Sequence, residues 1–532
     1  MKKILVRRNA YYDSVFLMLA TKGLKQRPDV KEAVVVMGTE VNLGLLKEIG
    51  LLSGDAQSAR PNDLVIAIEA ETEHAAEEAC RIAEEILKKK SRGGGEEDYR
   101  PATLEGALKI FPEANLVVIS VPGMYAAAEA RRALNRGLHV MIFSDHVPVE
   151  EEVELKDLAQ EKGLFMMGPD CGTAILSGKP LCFANVVRRG PIGLVAASGS
   201  GLQEVCCCID RLGGGISQAI GTGGRDLQDP RVRGRMMLMG IEALKQDPET
   251  RVIVVLSKPP AEEVAAFVLS RLEDTGKPCV VHFLGRKPSG TRGSVCFSGN
   301  MEEAAARAVA LSKGEQYCQP RGSLSEAEMA RVVEAELKNM AAEQKYVRGV
   351  FAGGTLAIEA MALFEQEGFE IRSNVRKEPG LALGSPHRSE GHAIVDMGDD
   401  VFTLGRPHPM IDPSLREERI AKEAADPETA LLLLDAVLGY GAHEDPCGAL
   451  AESIGKAKAQ VAGRGGYLSV IASITGTEKD FQNMAEQKKK LESAGCLVMP
   501  SNYQAALLAV RVMKKVTARW MGKRSMSSSG KS

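Results

Sequence analysis

Two glycine turns within one stretch, Gly168–Asp226, stand out as places where this chain could hold an anion. The stretch reads GPDCGTAI (Gly168–Ile175), then GLVAASGSGLQEV (Gly193–Val205), then ISQAIGTGGRDL (Ile216–Leu227). An apolar run that ends in a Gly/Ser turn and opens a helix leaves several backbone N–H groups without partners at one point. The helix dipole adds positive potential there, so such a turn suits phosphate, carboxylate or an oxyanion. Ser198, Gly199, Ser200 and Gly201 form one such turn, and Gly221, Gly223 and Gly224 belong to another. The same strand–glycine–hydroxyl–helix layout returns in VRGVFAGGTLAIEAM at Gly353, Gly354 and Thr355. A single turn of this kind is more often packing, with Ser200 as a plain helix cap. Its repetition favours an anion site with two or three helix N-termini converging on it.

Charged side chains cluster at the ends of neighbouring strands. Lys258 follows an apolar strand in SKPPAEEV, where it could hold a phosphate as a point charge or simply be solvated. The stretch DMGDDVFTLGRPHPMIDP (Asp396–Pro413) gathers Asp396, Asp399, Asp400, Arg406, His408 and Asp412. Arg406 offers a two-pronged fork for carboxylate or phosphate, and His408 could act as an acid or base. Arg406, His408 and Lys258 are the candidate catalytic groups, with Asp170, Arg225 and Asp399 as substrate contacts. The carboxylates and the pair His392 and His408 match no metal-ligand spacing, so no metal is expected. Cys171 has no histidine in its own motif to activate it and reads as an inert thiol, as do Cys206–Cys208 on one helix.

Short apolar runs followed by glycine and then a helical pattern predict an α/β fold with several Rossmann-like or flavodoxin-like parallel-sheet domains in tandem. The boundaries read as an N-terminal α/β domain (1–90), a Rossmann domain (101–188), a first flavodoxin-type domain (189–315) and a second (345–515). The polar, Gly-rich segment Ser91–Pro101 is the clearest linker, residues 314–345 are polar and helix-prone and suggest a hairpin or linker, and the basic, Ser-rich tail 516–532 is expected to be disordered. The loop Arg286–Asn300, RKPSGTRGSVCFSGN, contains no histidine, and His282 lies inside the preceding strand.

The chain has 532 residues, with 67 basic and 70 acidic side chains and a net charge of −3. That balance gives no electrostatic footprint for nucleic acid, and 4% aromatic content offers few stacking platforms. No apolar run is long enough to span a membrane or to act as a signal peptide. Eleven cysteines without a CxxC pair point to free thiols and the cytoplasm.

VISVPGMYAAAEA, MGPDCGTAI, GLVAASGSG and AIGTGGRDL resemble, in the same order, the CoA-binding and ligase domains of the succinyl-CoA synthetase superfamily of acyl-CoA ligases. Residues 347–515 resemble the C-terminal ligase domain of the partner subunit. SKPPAEEV, MGPDCGT, GGRDL, GTLAIEA and GRPHPMIDP together resemble the FdrA family of that superfamily. The resemblance covers nearly the whole chain except the tail. It implies a subunit of an oxamate carbamoyltransferase, working with two other subunits on carbamoyl phosphate or phosphate and oxamate or oxalurate in allantoin breakdown. No cofactor is firmly implied, although CoA or a nucleotide is possible through the superfamily. The ligases carry a phosphohistidine in the loop that here lacks histidine, and no ATP-grasp domain is recognisable. The alternative reading is an acyl-CoA ligase subunit whose phosphoryl relay comes from another chain.

Overall fold

A computed structural model describes the chain apart from Asn9, Tyr11, Asp13, Gln26, residues 93–100, 287–289 and 319–323, Gly405, and residues 530–532. The chain divides into two compact units. One comprises Met1–Ile110 with Phe402–Pro407, and the other Phe111–Val401 with His408–Ser532.

The first unit is built on a three-stranded sheet in the order Lys2–Arg7, Leu64–Ala70, Val30–Met37, and both pairings are antiparallel. The central strand LVIAIEA is apolar at every position but Glu69 because both of its faces are covered. Leu64, Ile66 and Ile68 pack with Leu17, Leu24, Ala76, Ala79 and Ala83 of the helices Ser14–Lys25 and Glu73–Arg92. Val65 and Ala67 meet Val34, Leu46 and Leu51 on the opposite side. A parallel sheet was the expectation here, and the strand directions correct it. A strand buried on both faces reads as a continuous apolar run whichever way its neighbours point.

The second unit carries three sheets. The first is parallel, in the order Leu116–Ile119, His139–Ile142, Met166–Met167. The second has eight strands: Thr291–Arg292, Val295–Phe297, Cys279–Phe283, Val252–Ser257, Arg189–Ala197, Ile216–Gly221, Thr173–Leu176 and Lys179–Cys182. Its five middle strands run parallel, and the outer ones join antiparallel. The third is wholly parallel, in the order Ile371–Arg372, His392–Asp396, Tyr346–Phe351, Thr429–Val437, Ser469–Thr475, Leu497–Met499. The α/β class and its tandem parallel sheets therefore hold for this unit.

Two boundaries differ from the sequence reading, and the helix-prone stretch 314–345 holds a helix. The hairpin Thr173–Cys182 pairs through Ile175 with Ala219, so it belongs to the eight-stranded sheet rather than to the block that precedes it. Residues 314–345 contain the helix Glu326–Leu337, opened by a capping box between Ser325 and Glu328. The tail expected to be disordered continues the helix Asn502–Ser529, whose buried stripe (Ala505, Leu508, Ala509, Val512, Met513, Val516) anchors it to the core. The Ser91–Pro101 linker falls mostly outside the described residues, after Ser91 and Arg92 complete the helix Glu73–Arg92.

Candidate functional site

Two of the glycine turns meet, and the meeting is between hydroxyls. Ser198 precedes the helix Gly199–Arg211, and its Oγ accepts a hydrogen bond from Gly201 N at 3.1 Å. The same oxygen lies 2.7 Å from Oγ1 of Thr355, at the start of the helix Gly354–Gln366. Thr355 N donates to Ser200 Oγ at 3.3 Å, and a Cβ on Gly353 would lie 3.0 Å from Cβ of Ser200. The N-termini of two helices from different sheets thus face each other across a few ångströms. Each contributes positive potential to the space between them.

Carboxylates temper that potential. Ala352 N and Gly353 N donate to Oδ1 and Oδ2 of Asp435, at 2.8 and 2.7 Å. Gly353 is therefore corrected from anion donor to a residue already serving Asp435, and Gly354 is the half-buried member of its turn. Asp435 is in turn neutralised by Arg416, whose Nη2 reaches Oδ1 at 2.8 Å. Asp396 ends the strand His392–Asp396 and is buried, and a Cβ on Gly354 would run into its Oδ2. Gly398 N donates to Asp396 Oδ1 at 2.8 Å. Burial pushes the Asp396 carboxyl up to about 7, and Lys258 and the Gly398 N–H pull against that rise.

The third glycine turn is organised differently. Gly168 has φ +102° and a Cβ there would run into Ile142 O, while Gly223 has φ +88° and would run into Pro169 O. A Cβ on Gly221 would meet Cys171 Sγ at 2.6 Å. These glycines let the 168–173 and 221–224 turns pack backbone to backbone, and that close approach by itself requires glycine at 221 and 223. Gly224 stays beside the carboxylate of Asp170, 3.3 Å from its Cβ position. Asp170 is solvent-reachable yet ringed by protein, and this crowding pushes its carboxyl up to about 6. Lys258 and Arg225 oppose the shift, while Asp145 and Asp400 add to it. Lys258 thus acts on both Asp170 and Asp396, from the end of the strand Val252–Ser257.

Arg225 is held by Glu152, with Nε 2.9 Å from Oε2, and donates from Nη2 to Val147 O at 2.7 Å. Its Nε and Nη2 thus serve protein acceptors, and the side chain stays partly exposed. Asp399 Oδ1 accepts from Val401 N at 3.2 Å, a capping role. Arg406 is exposed and belongs with the first unit. His408 is a correction in chemistry rather than in place. Met410 N donates to its Nδ1 at 3.2 Å, and burial, with Arg416 adding, lowers its pKa to about 4. The imidazole is therefore neutral near pH 7 and can donate from Nε2, which would lie 2.6 Å from a Cβ on Gly398, but it is not a general base there. His392 packs edge-on against Tyr346 and Phe369 and is likewise held at about 4. The Cys171 thiol, buried, is pushed up to about 12, as expected of an inert group.

Sequence reading missed Asp435, an aspartate inside the otherwise apolar run ALLLLDAV, and it gave Asp396 no role. It also missed a cluster at the strand ends. Asp145, His146 and Asp400 place ligand-type atoms within 4.8 Å of one another, the one such group of three among the described residues. His146 bridges the two carboxylates, with Nδ1 2.9 Å from Asp145 and Nε2 3.5 Å from Asp400, and the Asp145 bond holds its pKa above the ordinary value. His282 is buried, with Nδ1 3.0 Å from Ser298 O, so it cannot replace a loop phosphohistidine. No helix among the described residues is long and apolar enough to cross a membrane.

Residues 350–512 match the CoA-ligase family model, and residues 1–101 match the model described as AllF, heavy metal-associated domain. Residues 1–101 hold one cysteine, Cys80, and one histidine, His74, and Cys80 is buried in the helix core with its thiol pushed up by burial. That donor set does not fit a soft heavy-metal site. The chain is 45% identical to the uncharacterized protein YahF of Escherichia coli (strain K12) over 510 residues, covering 95% of this chain and 98% of that one. It is 29% identical over 241 residues to the succinate–CoA ligase [ADP-forming] subunit alpha of Aquifex aeolicus (strain VF5), covering 42% of this chain and 76% of the subunit. With the ADP-forming sulfoacetate-CoA ligase subunit SqwL of an Acholeplasma species it shares 28% identity, over 34% of this chain and 62% of that one.

Proposed function

We propose, for a chain that belongs to the family of Escherichia coli YahF and carries a CoA-ligase domain, a role as the FdrA-type subunit of an oxamate carbamoyltransferase. In this reading it exchanges carbamoyl between oxalurate and phosphate, together with two other subunits. The observation that carries it is the meeting of two helix N-termini at Ser198 and Thr355, combined with a loop Arg286–Asn300 that has no histidine. Ligase chemistry through a phosphoenzyme needs that histidine. Direct attack by phosphate on a carbamoyl carbon needs only oriented substrates and stabilised charge. The AllF match of residues 1–101 supports a place in allantoin-related metabolism.

In this scheme Ser198, Gly199, Ser200, Gly201, Gly354 and Thr355 hold phosphate at the paired helix ends, and Lys258 supplies a point charge beside Asp170 and Asp396. His408, neutral, donates a hydrogen bond rather than taking a proton. The test is isotope exchange in the assembled complex. Labelled phosphate should enter carbamoyl phosphate when oxalurate is present, and Gly201→Pro should abolish that exchange. Arg406→Ala tests the exposed guanidinium that the sequence singled out. Absence of exchange in the wild-type complex overturns the reading.

A second reading, an acyl-CoA ligase subunit relying on another chain for its phosphoryl relay, is favoured by the CoA-ligase model and by the ligase subunits among the relatives. CoA-dependent nucleotide cleavage by the complex would support it over the first.

A further inference from the structure

We infer that Asp396 is the proton-holding group of the anion cradle: it takes up a proton as phosphate enters and passes that proton to the leaving nitrogen. The first half stands on the place of Asp396 beside the paired helix ends and on its burial, and the second rests on the carbamoyl-transfer reading. The carboxylate sits at the first residue of the helix Gly354–Gln366, where a Cβ on Gly354 would collide with Oδ2. It shares that helix end with Thr355, whose hydroxyl is 2.7 Å from Ser198 Oγ. An anion drawn to these two N-termini therefore arrives beside Asp396, and two negative charges there repel strongly in a site with little water.

Every other charged group around it is committed or of the wrong kind. Lys258 opposes the rise in its pKa from the neighbouring strand end, and Asp399 on its own loop adds to it. Asp435, from the strand Thr429–Val437, adds to it too, but is bound by Ala352 N, Gly353 N and Arg416. His408, across Gly398, is neutral and has its Nδ1 occupied by Met410 N. Burial holds the Asp396 carboxyl at about 7, whereas the His408 imidazole facing it is held at about 4. Its backbone is fixed by reciprocal bonds with Asn374, each of 3.0 Å, so the carboxylate has a set position.

In phosphorolysis of oxalurate, a phosphate oxygen forms a bond to the terminal carbamoyl carbon. The bond from that carbon to the bridging nitrogen breaks, and its electron pair stays on the nitrogen. The nitrogen takes the Asp396 proton and leaves as the amide of oxamate. The proton lost by hydrogen phosphate as it becomes carbamoyl phosphate restores Asp396, so atoms and charge balance. In the reverse direction the carboxylate accepts the proton from attacking oxamate.

The test uses the full chain and inorganic phosphate. Calorimetric titration in two buffers of different ionisation enthalpy at pH 8 counts protons taken up on binding. Wild type should take up close to one proton more than Asp396→Asn. The Asn variant should also bind phosphate about tenfold more tightly than wild type at pH 8, because it no longer needs a proton that Asp396 has mostly lost. Equal uptake and equal affinity in the two proteins would overturn the inference, as would wild type that binds no phosphate. Asp396→Ser gives the same comparison if the Asn variant does not fold. In wild type itself, the infrared difference spectrum on phosphate addition should gain a protonated-carboxyl band, and its absence counts against the inference. Proton-linked phosphate binding in a complex that shows no carbamoyl exchange would sink the transferase reading and leave the proton-holding role of Asp396 standing.

Discussion

Ser198 and Thr355 stand 157 residues apart in sequence and share a buried hydroxyl–hydroxyl hydrogen bond of 2.7 Å. That bond ties the first turn of one helix to the first turn of another from a different sheet. Thr355→Val keeps the shape of the side chain and removes the oxygen. Ser198 would still cap Gly201, so the helix survives, but a buried hydroxyl loses one partner. Denaturant unfolding should show a loss of about 1–2 kcal/mol, and phosphate affinity should fall with it. Unchanged phosphate affinity would mean that the cradle does not depend on the pairing of the helix ends.

Gly354 and Gly455 separate a glycine packed against a carboxylate from one with open space around it. At Gly354 a methyl group would strike Asp396 Oδ2, whereas at Gly455, inside the helix Pro446–Gly463, nothing lies within 4 Å. Gly455→Ala should raise stability by roughly 0.5–1 kcal/mol, the ordinary gain for alanine in a helix interior. Gly354→Ala should destabilise the protein and abolish phosphate binding by displacing the carboxylate. Thermal unfolding of both variants, read beside a phosphate titration, checks the pair.

How much of this was legible in the sequence follows from what each signal measures. The turn at Ser198 was readable because an apolar strand, a glycine-hydroxyl turn and a helix are local, and its echo at Gly353 suggested that the two belong together. Glycine alone could not say which backbone it serves. Gly221 and Gly223 make room for the 168–173 turn, a neighbour brought in by the fold, so they look identical in sequence to anion donors. Asp435 was hidden because a carboxylate in a buried strand is visible only once Arg416 and the Ala352 and Gly353 N–H groups are placed around it. His408 stood out in its loop, but its protonation depends on burial and on Arg416, which sequence spacing does not report. Strand direction in the first unit was equally out of reach, since a doubly covered strand has no alternation to read.

A buried ion cluster predicts a different kind of sensitivity. Lys156 is almost fully buried, and its Nζ reaches Glu152 Oε1 at 2.9 Å, Asp226 Oδ1 at 2.7 Å and Thr222 O at 3.2 Å. Asp226 also accepts from Met236 N and Met237 N. Lys156→Met would keep the packing volume and leave two buried carboxylates facing each other, with Arg225 the remaining cation beside Glu152. Removing one partner of such a pair costs about 3–5 kcal/mol. The triple variant Lys156→Met, Glu152→Gln, Asp226→Asn should recover much of that loss, and a denaturation series across the variants measures the recovery.

His392 and His408 make the folded chain acid-labile in a defined window. Both are held neutral, with pKa values lowered to about 4, by burial first and then by Arg348 for His392 and Arg416 for His408. The unfolded chain protonates these rings below about pH 6.5, and the folded chain does so only near pH 4. Between those values unfolding takes up protons, so stability rises with pH and is lost as the pH falls through the window. Asp396 and Glu359, both buried and pushed up to about 7, act in the opposite sense by binding protons in the folded state first. The informative quantity is therefore a difference between variants. His392→Phe keeps ring packing against Tyr346 and Phe369, and gives up the acceptor that Val347 N uses at 3.3 Å. At neutral pH it should cost about 1 kcal/mol for that lost bond. Between pH 6 and 4.5 the variant should lose stability less steeply than wild type, by up to about 1.4 kcal/mol per pH unit, the contribution of one proton. Urea unfolding at half-unit pH steps gives both slopes, and parallel slopes would show that His392 is protonated alike in the folded and unfolded chains.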